Sequence, residues 1–199
     1  ECLRNIEQQS GFKLKEVLVS FSGEEVSSTN SVGQAAISEN EVSARDIENA
    51  LNMSSTLKIP NDKTLLYVVP NSFFIDGQGS IDDPLGMNGI KLEARSHLIH
   101  CSKNTKDNIK KCLKVSSSGI GIRKYFYSQL GVAHSVLTDY QKKLGVCVLD
   151  IGAGTTDISV YQNGSITFSK VLPYAGDYIT EIIALSLIHI SEPTRPLYI

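Results

Sequence analysis

The stretch VLDIGAGTTDISVYQNGSITFSKV, residues 148–171, decides the fold. Val146 to Leu149 form a short apolar run that reads as a buried strand. A turn of small residues follows at once: Asp150, Ile151, Gly152, Ala153, Gly154, Thr155, Thr156, Asp157. Ile158, Ser159, Val160 and Tyr161 then alternate between apolar and polar, the period of a second strand. Asn163-Gly164 is a two-residue hairpin signal, and Ile166 and Phe168 belong to a third strand. A dinucleotide fingerprint needs strand, glycine turn, then helix, and a P-loop needs Gly-Lys-Ser/Thr at a helix start. Here there is no lysine, and a strand follows. The glycine turn is therefore the tip of a β-hairpin.

Such a tip suits a phosphate group. Small residues at Gly152, Ala153 and Gly154 let backbone amides close on phosphate oxygens, and amide concavities of this kind bind anions. Thr155 and Thr156 add hydroxyl donors. Carboxylates beside a phosphate repel it unless a cation lies between. Asp150 and Asp157 thus imply Mg²⁺, held largely through water rather than by direct protein ligands. No residue is singled out as catalytic.

Upstream, KEVLVSFSG reads as a strand ending at a turn around Gly23. VSSTNSVGQAAIS is small, polar and loop-like. Ser38 and Glu41 have capping-box spacing, and Val42, Ile47, Ala50 and Leu51 follow at helical intervals, so the pattern predicts a helix over Ser38–Met53. Lys63–Pro70 is a strand. DGQGSIDDPLGMNG is a long turn region. Ile90, Leu92, Ala94, Ser96 and Leu98 alternate as one apolar face of a further strand. Together these make a small strand–helix–strand–strand unit. Asn104 or Thr105 can cap the next helix, with Ile109, Cys112 and Leu113 as its apolar stripe. Ser116–Ile122 reads as an irregular loop, Tyr125–Leu137 as another helix, and TDYQKKLG as a polar turn.

The chain has 199 residues, a net charge of −2 and 41% hydrophobic residues, room for one large domain or two small ones. Near-neutral charge gives no footprint for nucleic acid. No apolar run reaches the length of a membrane span. Cys2, Cys101, Cys112 and Cys147 lack metal-site spacing and read as free thiols of a reducing cytoplasm. His97 and His100 lie three apart on a strand, so they point to opposite faces and make a poor metal pair.

Residues 185–199 stand apart. Leu185 to Arg195 matches, residue for residue, a translation of the transposase adapter used to prepare sequencing libraries. The expectation is that 185–199 is adapter read-through with no fixed structural role, and that the authentic chain is cut near Ala184.

DIGAGTTD resembles the second phosphate motif of the actin, sugar-kinase and DnaK-type chaperone superfamily. PYAGDYITEII, residues 173–183, resembles the segment in which a glycine turn opens a helix beside the nucleotide. ISENEVSARDIENAL, LYVVP, DPLGMNGIKLEARSHLIHC and LGVCVLDIGAGTTDISVY resemble the FtsA family of bacterial cell-division proteins, from about Gly11 to Ala184. That resemblance implies an α/β, actin-like (ribonuclease-H-like) fragment with an inserted small α+β strand–helix–strand–strand subdomain. It implies that 1–21 ends the first part of subdomain 1A, 22–101 is the inserted subdomain 1C, 102–143 is the rest of 1A, and 144–184 begins subdomain 2A.

The resemblance further implies a cell-division scaffold that binds ATP with Mg²⁺, polymerises like actin and tethers the FtsZ ring to the cytoplasmic membrane face. Carried over, Asp150 lies near Mg²⁺, Gly152 to Thr155 cradle the β- and γ-phosphates, and Gly176 sits at the nucleotide cleft. FtsZ and the membrane would be engaged by segments beyond Ala184, and other subunits and late division proteins through subdomain 1C. Ala153 departs from the glycine of many relatives and crowds the backbone approach. A chaperone ATPase or an actin-like pilus-assembly protein shares the hairpin and remains the alternative.

Overall fold

The computed structural model describes residues 2–56, 59–116 and 120–187. A first helix, α1 (Cys2–Ser10), leads to strand β1 (Glu16–Phe21). β1 pairs in parallel with β6 (Gly121–Tyr127), and nearly everything between them forms a second unit. A parallel pair needs a crossover. Here the crossover holds a four-stranded antiparallel sheet, in spatial order β2 (Val26–Ala36), β5 (Lys91–Ser102), β3 (Lys63–Ile75) and β4 (Gln78–Ile81), a helix on its face, and a return helix α3 (Lys103–Ser116).

The run expected to be a loop is the strand β2 (Val26–Ala36), paired along its whole length with β5 (Lys91–Ser102). Its small residues reflect packing rather than turn chemistry. Ser31 and Gly33 face helix α2 (Ala44–Ser55) so closely that a Cβ on Gly33 would overlap the Ala50 carbonyl and the Ser54 backbone nitrogen. The Ser31 hydroxyl donates to the Ser54 carbonyl at 2.7 Å. The capping box sits one turn later than the sequence pattern placed it. Ser43 and Asp46 cap each other, while Ser38 donates its hydroxyl to Asp46 Oδ1 at 2.9 Å. Glu41 forms an isolated β-bridge with Asn88 instead of closing a capping box, and the helix starts at Ala44 rather than Ser38. The Ser43 hydroxyl and backbone hold the Asp46 carboxyl below its ordinary value.

Strand β3 (Lys63–Ile75) runs past Pro70, where it was expected to stop. Its register slips between Pro70 and Ser72, a bulge that accommodates a residue without an N–H. Asp76 and Gly77, both at positive φ, then turn the chain into the short strand β4 (Gln78–Ile81), inside the stretch read as one long turn. The unit therefore has four strands. In β5, Leu92 and Ala94 are buried on one face, but from Ser96 to Cys101 every residue is buried because both faces are covered. Ile90, read as part of that apolar face, is 75% exposed before the strand begins.

Helix α3 starts directly from β5, with Ser102 Oγ accepting from the Thr105 amide at 3.3 Å in place of the expected cap at Asn104 or Thr105. Tyr125–Tyr127, read as helix, belong to β6. Aromatic residues suit a pleated surface, and the partner strand β1 offers one. The helix that follows, α4 (Ser128–Val136), is shorter. The polar turn is a one-and-a-half-turn helix, α5 (Asp139–Leu144), capped reciprocally by Thr138 and Gln141.

The hairpin region is a three-stranded antiparallel sheet of β7 (Val146–Ile151), β8 (Thr156–Gln162) and β9 (Ser165–Leu172), followed by helix α6 (Gly176–Leu187). Asn163 and Gly164, at φ 53° and 87°, make the expected tight turn. β7 is less buried than its apolar run suggested: Val148 is in the core, while Leu149 and Ile151 are 57% and 64% exposed. Leu185–Leu187 continue α6, while 188–199, most of the stretch expected to have no fixed structural role, lie outside the described residues. No helix among the described residues is long and apolar enough to cross a membrane.

The inserted sheet and the hairpin sheet meet along a polar seam. The Ser28 hydroxyl donates to the Ser169 carbonyl at 2.8 Å, and Asn30 Nδ2 to the Thr167 carbonyl at 3.0 Å. His97, buried between the sheets, bonds Asn30 Oδ1 at 2.6 Å and Ser169 Oγ at 2.9 Å. Burial first, then His100, lowers the His97 pKa to about 4.

Candidate functional site

The turn at 150–157 is stiffened by its own backbone. Gly152 N–H donates to the Thr155 carbonyl at 3.0 Å, closing the tip. A Cβ on Gly152 would sit 3.2 Å from that carbonyl, close enough that any side chain there must push the carbonyl aside. Around Gly154 a Cβ would meet nothing within 4 Å; the tip there is open. The amide of Gly152 is thus spent inside the turn. Donors toward an anion fall to the tip residues Ala153, Gly154 and Thr155.

Gly176, expected from the family resemblance to sit at a nucleotide cleft, is held to this turn. Its amide donates to the Gly152 carbonyl at 3.1 Å, and the Asp177 amide donates to the Ala153 carbonyl at 2.8 Å. A Cβ on Gly176 would lie 3.3 Å from the Gly152 carbonyl, a tight contact that a side chain makes only if the turn gives way by a few tenths of an ångström. The first turn of α6, with its unpaired helical N–H groups, therefore holds the glycine turn from behind. The Thr156 hydroxyl donates to the Tyr174 carbonyl at 2.6 Å, which fixes the α6 approach and commits that hydroxyl to structure.

Asp150 and Asp157 are directly opposed across β7 and β8, a register that puts both carboxyls on one face. Their surroundings differ. Asp150 is exposed, and Gln129 Nε2 donates to its Oδ2 at 2.9 Å. Asp157 is 4% exposed. The Tyr127 hydroxyl reaches its Oδ1 at 3.5 Å, and the Gly23 backbone bonds it as well. Burial raises the Asp157 pKa, and the neighbouring Asp150 raises it further. Burial likewise raises the Tyr127 hydroxyl.

Gln129 is the residue that sequence reading missed. It is fully buried in the first turn of α4, and its Oε1 has no partner. A polar side chain left unsatisfied beside an exposed carboxylate calls for an explanation. The available signal was the polar pair Ser128-Gln129 inside the otherwise apolar and aromatic run 125–133, which the helix reading passed over. His97 and His100 do not gather a metal site, and among the described residues no three His, Cys, Asp or Glu side chains do.

Comparison with known proteins agrees with this architecture. The family model described as "SHS2 domain inserted in FTSA" matches residues 23–100, and that of "Cell division protein FtsA" matches residues 147–192. The chain is 39% identical over 181 residues to the cell division protein FtsA of Pseudomonas aeruginosa, covering 91% of this chain and 43% of that one. It is 37% identical over 172 residues to the cell division protein FtsA of Escherichia coli strain K12, covering 86% of this chain and 40% of the relative. The chain thus spans less than half the length of the curated relatives it matches. A solved structure, the PilM-PilN type IV pilus biogenesis complex, superimposes with a TM-score of 0.59 at 14% identity, over 93% of this chain and 50% of that one. At that identity the likeness concerns the fold alone. The architecture is α/β and actin-like with an inserted SHS2 unit, and the chain belongs to the FtsA family.

Proposed function

We propose that this chain is part of an actin-like, ATP-binding cell-division scaffold that polymerises and tethers the FtsZ ring to the cytoplasmic membrane face. The observation that carries the proposal is the glycine turn pinned between the Thr155 carbonyl and the first turn of α6, with its tip open at Gly154. A rigid small-residue turn with free tip amides suits phosphate oxygens. The residues also fit Mg²⁺: Asp150 is exposed at the turn, and the buried amide of Gln129 fixes its direction. Bound there, the ion would neutralise phosphate charge, largely through its waters.

In this reading Ala153, Gly154 and Thr155 supply backbone donors, while Gly152, Gly176 and Thr156 shape the turn. Asp150 faces the ion. Asp157, buried and bonded to Tyr127, supports it from behind. Residues 1–21 and 102–143 form the two parts of subdomain 1A, 22–101 form subdomain 1C, and 144–184 begin subdomain 2A. Subdomain 1C contacts other subunits and late division proteins, and FtsZ and the membrane are engaged by other parts of the parent protein. A second reading, an actin-like protein of pilus assembly, draws on the structural match alone. Titration of the full-length protein with a fluorescent ATP analogue tests the first. Gly152→Val crowds the Thr155 carbonyl and should weaken binding about tenfold or more, the loss of one charge-assisted hydrogen bond. Unchanged binding would reduce the turn to a hairpin tip.

A further inference from the structure

Helix α3 carries five lysines, Lys103, Lys106, Lys110, Lys111 and Lys114, and one acid, Asp107, in a chain whose net charge is −2. At 3.6 residues per turn, Lys103, Lys106, Lys110 and Lys114 fall on one stripe, with Asp107 as its single acid. None of the five is within ion-pair distance of a carboxylate among the described residues. The arrangement works against the helix itself. Lys106–Lys110 and Lys110–Lys114 are like-charge pairs at i,i+4. Lys103 and Lys106 also crowd the positive end of the helix dipole, whose first turn holds no acid.

That stripe forms one wall of a groove of about 290 Å³. Lys106, Lys110 and Lys114, with Asp107 among them, line one side, and Ile120, Ile122 and Tyr125 of the β6 segment line the other, so the helix wall keeps an excess of positive charge. The Lys106 ammonium lies 4.9 Å from the centre of the Tyr125 ring, so the two walls touch at one end. The glycine turn and α6 take no part in this groove.

We propose that the α3–β6 groove docks a short acidic peptide segment of a partner protein, its carboxylates on the lysine stripe and an apolar side chain against Ile122 and Tyr125. Charge complementarity sets the sign of the partner. The recessed apolar wall selects a peptide over a lipid surface, because a flat headgroup plane reaches the lysines but not Ile122.

The test uses the whole chain and a fluorescein-labelled peptide of alternating glutamate and leucine, read by anisotropy. Binding should weaken with added salt. It should fall about tenfold or more in the combined variant Lys106→Glu, Lys110→Glu, Lys114→Glu, from three lost ion pairs. Lys91→Glu with Lys143→Glu, on β5 and α5 and outside the groove lining, should bind as the parent does. Should the charge reversal unfold the chain by circular dichroism, Lys106→Gln, Lys110→Gln and Lys114→Gln take its place with the same direction expected. Equal binding by groove and control variants overturns the proposal. So does binding to phosphatidylglycerol vesicles without binding to the peptide.

Discussion

In the inserted sheet, Leu92, Ala94, Leu98 and Ile99 are completely excluded from solvent, whereas in the hairpin sheet Leu149, Ile151 and Phe168 are 57%, 64% and 47% exposed. Both regions are antiparallel sheets with a helix following in sequence. The first brings its own cover: α2 lies on it closely enough to require Gly33, and β9 closes part of the other face. In the second, Ile179, Ile182 and Ile183 of α6 are themselves half exposed or more. One region carries a closed core. The other carries a stiff glycine turn on a sheet whose apolar surface is largely exposed.

The sharpest way to break this contrast is truncation at equivalent apolar positions. Leu98→Ala, in the closed core, should cost about 2–5 kcal/mol, whereas the exposed Ile151→Ala should cost within about 0.5 kcal/mol. Urea denaturation of the two variants measures both. Similar losses would mean the hairpin sheet is as well packed as the inserted one.

Gly33→Ala probes the cover rather than the core. Its Cβ would meet helix backbone, not a flexible side-chain end, so α2 must move away. We expect a loss of about 1–3 kcal/mol, the range for overpacking, read as a lower thermal midpoint. No change would show that α2 rides loosely on β2.

Between the two regions stands His97. Its folded-state pKa, about 4, lies below the ordinary 6.5. The stability this ring contributes is therefore complete above pH 6.5 and is lost as the pH falls toward 4. Parent stability should drop across that window, and His97→Gln should flatten the drop. If both proteins follow the same pH curve, the seam is not what holds the sheets together.

The smallest effect is expected at Asp157. Its carboxyl pKa is raised, so ionisation costs stability as the pH rises from the ordinary carboxylate value through the folded one. Asp157→Asn removes that cost and the repulsion from Asp150. It should be as stable as the parent at neutral pH or slightly more so, with the difference fading in acid. A clear loss at neutral pH would mean that the bonds from Tyr127 and Gly23 outweigh the burial of charge.

The hairpin was legible in the sequence because its signals are local: the glycine turn, the alternation of Ile158 to Tyr161, and Asn163-Gly164. What escaped was set by distant partners. β2 looked like a loop because its residues are small, and they are small because α2 lies against them. Tyr125–Tyr127 looked helical until β1, a hundred residues away in sequence, supplied a strand partner. At the candidate site, Asp150 and the glycines could be named from spacing. Gln129 could not, since its approach to Asp150 depends on how β6 hands the chain to α4.

The division of labour between the two carboxylates is the point on which the functional account stands. Binding of a fluorescent ATP analogue to full-length Asp150→Asn and Asp157→Asn proteins, with and without Mg²⁺, tests it directly. The account predicts that Asp150→Asn loses most of the Mg²⁺ enhancement while Asp157→Asn keeps it. Equal enhancement in both variants, or its loss only in Asp157→Asn, would contradict the account.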